Sequence, residues 1–188
     1  MPAPFSTALL ATSALWIAFE LGLVARRRAA PATSQDAGTL RRLNLVIYGS
    51  VALGVTLART GIGHLPLPPA ARWAGLAVIA LGLALRVWAI LVLGRSFTVN
   101  VAIRPGQALV EQGPYRWVRH PAYTGSLLSF LGLALAEASW IAAAVILVPI
   151  TLAFLQRIAV EERALQRAFP SEYPAYAART RRLIPWLY

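Results

Sequence analysis

Long apolar segments alternate with short polar ones along this chain. The apolar runs are 5–25, 43–58, 73–94, 123–136 and 139–155. A membrane-spanning helix needs about 20 apolar residues, which the first and third runs supply outright. The other three runs reach this length only with flanking residues, and the fourth is the weakest candidate for a membrane-spanning helix. The pattern predicts an all-α integral membrane protein of about five transmembrane helices, the last two joined as a helical hairpin.

The distribution of charge predicts how the chain is oriented in the membrane. The formal net charge is +11, and the mean hydropathy is +0.61. Nearly all arginines outside the apolar runs fall on one predicted side, and only Arg59 and Arg72 fall on the other. The positive-inside rule then places the N-terminus outside and the C-terminus in the cytoplasm. We therefore expect membrane lipid rather than nucleic acid as the partner of the basic surface, and the small, lysine-free chain suggests a bacterial inner (plasma) membrane.

Several classes of chemistry are disfavoured by composition. The chain has no cysteine, which excludes disulfides, thiolate nucleophiles and cysteine metal ligands. Its two histidines, His64 and His120, fall on opposite predicted sides, so we expect no metal site. No glycine-rich nucleotide loop or serine-nucleophile motif is present. No basic stretch precedes the first apolar run, so we expect a membrane helix there rather than a cleaved leader.

The polar residues divide the chain unequally, although we expect one membrane domain over 1–188. Residues 1–94 contain three helices with little polar chemistry, and residues 95–188 contain nearly all the polar side chains of the cytoplasmic face. Val99, Val101 and Ile103 alternate with smaller or polar residues, Pro105-Gly106 signals a turn, and the apolar residues 108–110 follow, which predicts a short extended hairpin. The last apolar helix continues to about 169 before Pro170, and a short surface helix carrying two tyrosines on one face follows.

The most unusual stretch is GPYRWVRHPAY, at 113–123. Its arginines and aromatic residues fit a membrane-interface anchor. Their density also fits a ligand site, because Tyr115 and Tyr123 offer aromatic faces to a cation. Pro121 suits the first turn of a helix. We expect backbone N–H groups near that helix start to be free to bind a ligand. The residues alone leave both interpretations open.

Two further pairs of charges lie within or beside apolar runs. Arg157 and Glu161 are four residues apart and share one helix face. They form either a simple ion pair or, with Arg157 near headgroup depth, a grip for a carboxylate or phosphate. Glu20 and Arg86 lie inside the first and third runs and could pair with each other. We favour a structural role for that second pair.

The second half of the chain resembles a known family. The pattern G-P-Y-R-x-V-R-H-P-x-Y-x-G is followed by a helical hairpin, R-x-x-x-E-E-x-x-L, F-x-x-E-Y and R-L-I-P. This combination, over about 94–186, resembles the isoprenylcysteine carboxyl methyltransferase family and the related phospholipid methyltransferases. The resemblance implies a membrane methyltransferase that uses S-adenosyl-L-methionine. It also implies a cytoplasmic cofactor pocket formed by the linker, the start of the fourth helix and the C-terminal helix.

The resemblance also implies roles for individual residues. Arg157 matches an arginine that binds the substrate carboxylate. Glu162 is a tentative catalytic residue. The positions that match cofactor contacts are Asn100, Gln107, Ala108, Leu109, Val110, Tyr115, His120, Pro121, Ala122, Tyr123 and Glu161.

The acceptor class follows from the chemistry only in part. The resemblance implies a lipophilic, isoprenylcysteine-like carboxylate as the acceptor, and a carboxylate needs no general base because it is ionised at pH 7. A phenol or enol, as in an alkyl pyrone, would need a base, for which His120 or Glu162 is the candidate. Amine N-methylation of a phospholipid is a further alternative. Two alternatives are not methyltransferases: an NADPH-dependent, sterol-reductase-like enzyme and a non-enzymatic membrane scaffold.

Overall fold

The computed structural model describes residues 3–27, 38–98, 106–185 and 187. Within these residues the chain is helical and has no strand. The helices are α1 (Ala3–Arg27), α2 (Thr39–Arg59), α3 (Pro69–Leu93), α4 (Pro121–Glu137), α5 (Trp140–Ala168) and α6 (Glu172–Arg179). The predicted all-α membrane fold is confirmed.

Four helices, α1, α2, α3 and α5, are long and apolar enough to cross a membrane. The fourth predicted segment forms α4, which begins at Pro121 as expected but has only 17 residues. At 1.5 Å per residue α4 is about 25 Å long, slightly less than a bilayer core. It ends at Glu137, and the next residue, Ala138, has a left-handed φ of 49°. Five full spans therefore stay a prediction.

Glycines bring α3 and α4 into backbone contact. A Cβ added at Gly82 would lie 2.5 Å from the carbonyl oxygen of Gly125, and one at Gly75 would lie 2.7 Å from that of Gly132. Such distances leave no room for a side chain on either helix. Elsewhere α2 packs along α5, so helices from both halves of the sequence interlock.

Helix α1 lies at the edge of this bundle. The Phe5 ring meets the Trp73 ring edge-on, with 5.3 Å between the centroids. Further along, Trp16 contacts Phe130 at 4.8 Å. These contacts hold α1 at its beginning and middle.

The turn between α4 and α5 lies at one end of the bundle, which we call the far end. Ser139 caps α5 by accepting a hydrogen bond from the Ala142 N–H at 3.2 Å. Its hydroxyl donates to the Ile62 carbonyl at 3.0 Å, so the loop before α3 is fastened to this turn. His64 is exposed in that loop, as expected from its position in the sequence.

At the opposite end of the bundle, which we call the site end, the C-terminal segment packs against the residues just before α4. The Arg119 N–H donates to the Arg181 carbonyl at 2.7 Å, and the His120 N–H donates to the Arg182 carbonyl at 3.0 Å. The expectation that backbone N–H groups near the start of α4 are free is therefore wrong at these two positions. The chain itself supplies the acceptors, from a segment about 60 residues later.

The linker before α4 differs from the prediction. Residues 107–110 are irregular, so the second arm of the predicted hairpin is wrong, and the first arm falls mostly in 99–105, outside the described residues. The later elements agree with the prediction. Helix α5 ends at Ala168, and α6 buries both Tyr173 and Tyr176 with ring centroids 6.1 Å apart.

Candidate functional site

A cavity of about 500 Å³ opens at the site end and continues between the membrane helices. Ten of the predicted site residues line it: Gln107, Ala108, Leu109, Val110, Tyr115, His120, Ala122, Tyr123, Arg157 and Glu161. Pro121 is buried at the start of α4 and does not line the cavity, and neither does Glu162. Asn100 lies outside the described residues.

The deeper part of the cavity is apolar. It lies between α1, α2, α4 and α5, and its walls include Trp16, Leu43, Ile47, Val51, Phe130 and Phe154. The sequence indicated these helices but not that they enclose a space continuous with the polar end. The cavity therefore suits a molecule with a polar head and an apolar chain.

A hydrogen-bonded chain of four side chains crosses the polar part. The Tyr123 hydroxyl donates to Glu161 at 2.5 Å. Arg157, whose side chain is only 1% exposed, donates from Nε to the same Glu161 oxygen at 3.3 Å. Its Nη1 donates to the Thr39 hydroxyl at 2.7 Å. The predicted Arg157–Glu161 pairing is confirmed. Thr39, at the start of α2, was not identified from the sequence because 118 residues separate it from Arg157.

Glu162 faces away from the cavity into a cluster of cations. Arg119 donates to one of its carboxylate oxygens at 2.9 Å, and Arg182 approaches the other at 2.9 Å. His120 lies 3.4 Å from the first oxygen. Arg119 also donates to the carbonyls of Ala177 and Thr180, at 3.0 and 2.6 Å. The cluster thus ties α5 and the linker to the C-terminal segment.

Glu20 and Arg86 form a two-pronged ion pair on the wall of the cavity. The Arg86 Nε and Nη2 atoms donate to the two Glu20 oxygens at 2.6 and 2.8 Å. A third bond runs from Arg86 Nη1 to the Ala122 carbonyl at 3.2 Å. The pairing considered from the sequence is confirmed, and it joins the late part of α1 to α3 and to the start of α4.

Three buried tyrosines form the aromatic wall of the site end. The Tyr176 hydroxyl donates to the Tyr115 carbonyl at 2.8 Å. Burial is the main cause that raises the pKa of Tyr115, Tyr173 and Tyr176 above the ordinary value, so all three are neutral near pH 7. The Tyr173 side chain lines the cavity, and its hydroxyl is buried without a hydrogen-bond partner among the described residues.

Two residues of the same motif lie outside the site. The Trp117 side chain is exposed, and the Arg116 guanidinium lies over its ring at 5.3 Å. Neither residue lines the cavity. Their exposure fits the membrane-interface anchor considered for this stretch.

Known proteins resemble the chain over much of its length. The 36% identity with protein-S-isoprenylcysteine O-methyltransferase B of Arabidopsis thaliana extends over 115 residues, 60% of this chain and 58% of that protein. The corresponding A protein of the same plant is 33% identical, with the same coverage. The cobalt-zinc-cadmium resistance protein CzcN of Cupriavidus metallidurans is 34% identical over 140 residues, 73% of this chain and 62% of that protein. The chain spans less than two thirds of each of these relatives.

The phospholipid methyltransferase family profile matches residues 70–172. The match begins at α3 and ends in α6, so it includes the linker, α4, the whole of α5 and the charged cluster on it. The resemblance inferred from the sequence motifs is thereby confirmed. The chain belongs to the phospholipid methyltransferase family, and its relatives include isoprenylcysteine O-methyltransferases.

Proposed function

We propose that this protein is an S-adenosylmethionine-dependent membrane methyltransferase that O-methylates a lipophilic carboxylate, of the isoprenylcysteine kind. One observation carries the proposal. A single cavity joins the residues predicted to hold the cofactor, a buried arginine and an apolar space between membrane helices. A methyl donor and an amphiphilic acceptor could meet there with little water between them.

The residues present fit the proposed cofactor. S-adenosylmethionine carries a sulfonium and an ammonium, which suit the Glu161 carboxylate and the faces of Tyr115 and Tyr123. The buried Tyr173 hydroxyl, which lies near the Glu162 carboxylate, offers a polar group at the same end of the cavity. When bound, the cofactor supplies a methyl group that is already activated, so the chain needs no nucleophilic side chain. The protein's part is to bind, orient and exclude water.

Arg157 is the group that favours an anionic acceptor. Its side chain is almost fully buried, yet it lines the cavity beside Glu161. An arginine in such a place can orient a carboxylate bidentately. The amine of a phospholipid headgroup would gain nothing from it, whereas the neighbouring phosphate would, so Arg157 favours an anionic group on the acceptor, and we propose a carboxylate.

The geometry assigns Glu162 a different role from the tentative catalytic one. Two guanidinium groups bind its carboxylate, and it does not line the cavity. A carboxylate in that position is a poor proton acceptor for a substrate. We propose that Glu162 positions the C-terminal wall, and that His120, which does line the cavity, is the remaining candidate base for a phenolic or enolic acceptor.

The proposed orientation places the site end in the cytoplasm. The loop between α1 and α2, the linker and the C-terminal segment all carry arginines, whereas the far end has Arg59 and Arg72. This asymmetry follows the positive-inside rule. Cytoplasmic exposure would also give the cavity access to S-adenosylmethionine, and the bacterial inner membrane is the expected location.

Calorimetry on the detergent-purified protein tests the class of enzyme. We expect S-adenosylhomocysteine to bind and NADPH not to bind. Binding of NADPH alone would overturn the proposal in favour of a reductase. Binding of neither would favour the scaffold alternative. Transfer of a radiolabelled methyl group to a lipid extract of the source would then identify the acceptor.

The role of Arg157 is tested by Arg157→Ala and Arg157→Lys. Both variants should bind S-adenosylhomocysteine about as well as wild type but lose most methyl transfer. Lysine should rescue little, because it lacks the planar, two-pronged geometry of arginine. A large loss of S-adenosylhomocysteine affinity in both variants would contradict the assignment and would place Arg157 in the cofactor site.

A further inference from the structure

The hydrogen bond between Arg157 and Thr39 joins two helices at the cavity. Arg157 is on α5, and Thr39 is the first residue of α2, with 2.7 Å between Nη1 and Oγ1. Helix α2 also provides Leu43, Ile47 and Val51 to the apolar part of the cavity. Arg157 lines the cavity and Thr39 does not, so Thr39 contacts from the α2 side a guanidinium that lies between the polar end and the apolar part.

Thr39 directly follows Gly38, the N-cap residue of α2, whose φ is 76°. At this position the Thr39 hydroxyl accepts a hydrogen bond from the buried Arg157 guanidinium.

The chemistry of this partner is important because Arg157 has a second one. Glu161, one turn later on α5, also accepts from Arg157, and its charge draws the guanidinium toward the proposed cofactor end. A hydroxyl can hold the guanidinium on the α2 side without neutralising it. An acidic residue at the same place would compete with an anionic acceptor for the same N–H groups.

We propose that Thr39 is a positioning residue for the acceptor: it holds the Arg157 guanidinium beside α2, where it can meet the carboxylate of a molecule whose chain lies along that helix. This inference rests on the proposed function. It extends the site to a residue that precedes the region matched by the family profile. It also assigns α2 a part in acceptor recognition besides lining the apolar space.

The test compares Thr39→Val with Thr39→Ser in the full-length, detergent-purified protein. Valine keeps the shape and removes the hydroxyl, whereas serine keeps the hydroxyl. Thr60→Val, at the other end of α2 and exposed, is the matched control. Methyl transfer from radiolabelled S-adenosylmethionine is measured against increasing amounts of the source lipid extract, and S-adenosylhomocysteine affinity is measured by calorimetry.

We expect Thr39→Val to lower kcat/KM for the extract roughly ten- to hundredfold, the effect of removing one hydrogen bond to a charged group. S-adenosylhomocysteine affinity should be unchanged. Thr39→Ser should recover most of the loss, and Thr60→Val should behave as wild type. In an Arg157→Ala background, Thr39→Val should have little further effect, because the group that it positions is gone.

The failure of this inference differs from the failure of the proposed function. Wild-type protein that neither binds S-adenosylhomocysteine nor transfers methyl groups overturns both. If wild type is active and Thr39→Val has unchanged kinetics, only the role of Thr39 is overturned. Two other results would also overturn it. One is a loss of S-adenosylhomocysteine affinity in Thr39→Val as large as its loss of kcat/KM, and the other is a folded Thr39→Ser protein that does not recover kcat/KM. Either result indicates that Thr39 only connects α2 to α5 structurally.

Discussion

Replacing Gly82 by alanine tests how strongly this site depends on backbone contact between α3 and α4. The added Cβ would lie 2.5 Å from the Gly125 carbonyl oxygen and 2.6 Å from the Ser129 nitrogen. Ordinary contacts between carbon and oxygen are about 3.3–3.6 Å. The helices must therefore move apart by about 1 Å, since the atoms in the way belong to the backbone and cannot rotate aside.

The expected cost can be worked from these contacts. Overpacking of this kind costs about 1–3 kcal/mol. The Ser129 hydroxyl proton lies between the carbonyl oxygens of Gly125, at 3.0 Å, and Ile79, at 3.3 Å, and disturbing this hydrogen bond adds about 1 kcal/mol. The higher helix propensity of alanine returns up to about 1 kcal/mol. The net loss of about 1–3 kcal/mol should lower the melting temperature by roughly 3–10 °C.

Activity should fall further than stability suggests. One turn after Gly82, Arg86 donates to the Ala122 carbonyl at 3.2 Å, on the wall of the cavity. Movement of α3 by about 1 Å would displace this wall, and misplacement of that size can cost about 10²-fold in rate. Methyl transfer per folded molecule is therefore expected to drop at least tenfold.

The assay is thermal unfolding in detergent, followed by circular dichroism, with methyl transfer measured well below the transition. Gly49→Ala on α2 is the matched control, because an added Cβ there meets nothing within 4 Å. We expect it to melt at or slightly above the wild-type temperature. If Gly82→Ala melts like Gly49→Ala and keeps its activity, the glycine contacts do not set the position of α4, and the reasoning is refuted.

Three more predictions concern the charged and aromatic groups around the cavity. Glu162→Gln should weaken S-adenosylhomocysteine binding several-fold by loosening the C-terminal wall. It should not change the pH profile of methyl transfer; loss of the acidic limb, on which activity rises as a base deprotonates, would instead support a catalytic base. Glu20→Gln and Arg86→Met should each destabilise the protein by about 1–3 kcal/mol, because each leaves a partly buried charged partner without its counterion. The double variant should lose less stability than the sum of the two single losses, and additive losses in chemical unfolding would contradict the pairing. Folded-state pKa values above the ordinary tyrosine value mean that the unfolded chain loses protons first, so the tyrosines' contribution to stability should be constant below about pH 10 and should decrease above it. Tyr173→Phe and Tyr176→Phe should each flatten that decrease in melts between pH 9 and 11.5.

Local patterns made much of the fold predictable. Apolar run lengths located the membrane helices, Pro121 marked the start of α4, and residues 156–169 were correctly expected to extend α5. Spacing of four residues was enough to place Arg157 beside Glu161. Each of these inferences depends on residues within one helix or at its ends, where the geometry is fixed by the backbone.

Contacts between distant parts of the chain were harder to predict. The cations around Glu162 come from the linker and the C-terminal segment, and nothing in a single sequence pairs those regions. For the same reason, the sequence did not identify Thr39 as a neighbour of Arg157. The mistaken second arm of the hairpin has another cause: the apolar residues at 108–110 line the cavity as an irregular segment and do not pair with a strand.

The pairing of residues 119 and 120 with residues 181 and 182 has a consequence for how the protein is made. Ribosomes add about 5–20 residues each second from the N-terminus, so α4 and α5 are synthesised before this last part of the wall. Until the later residues emerge, the N–H groups of Arg119 and His120 lack these acceptors, and Glu162 lacks one of its cations. This part of the wall of the cavity can therefore be completed only after α4 and α5 have been synthesised.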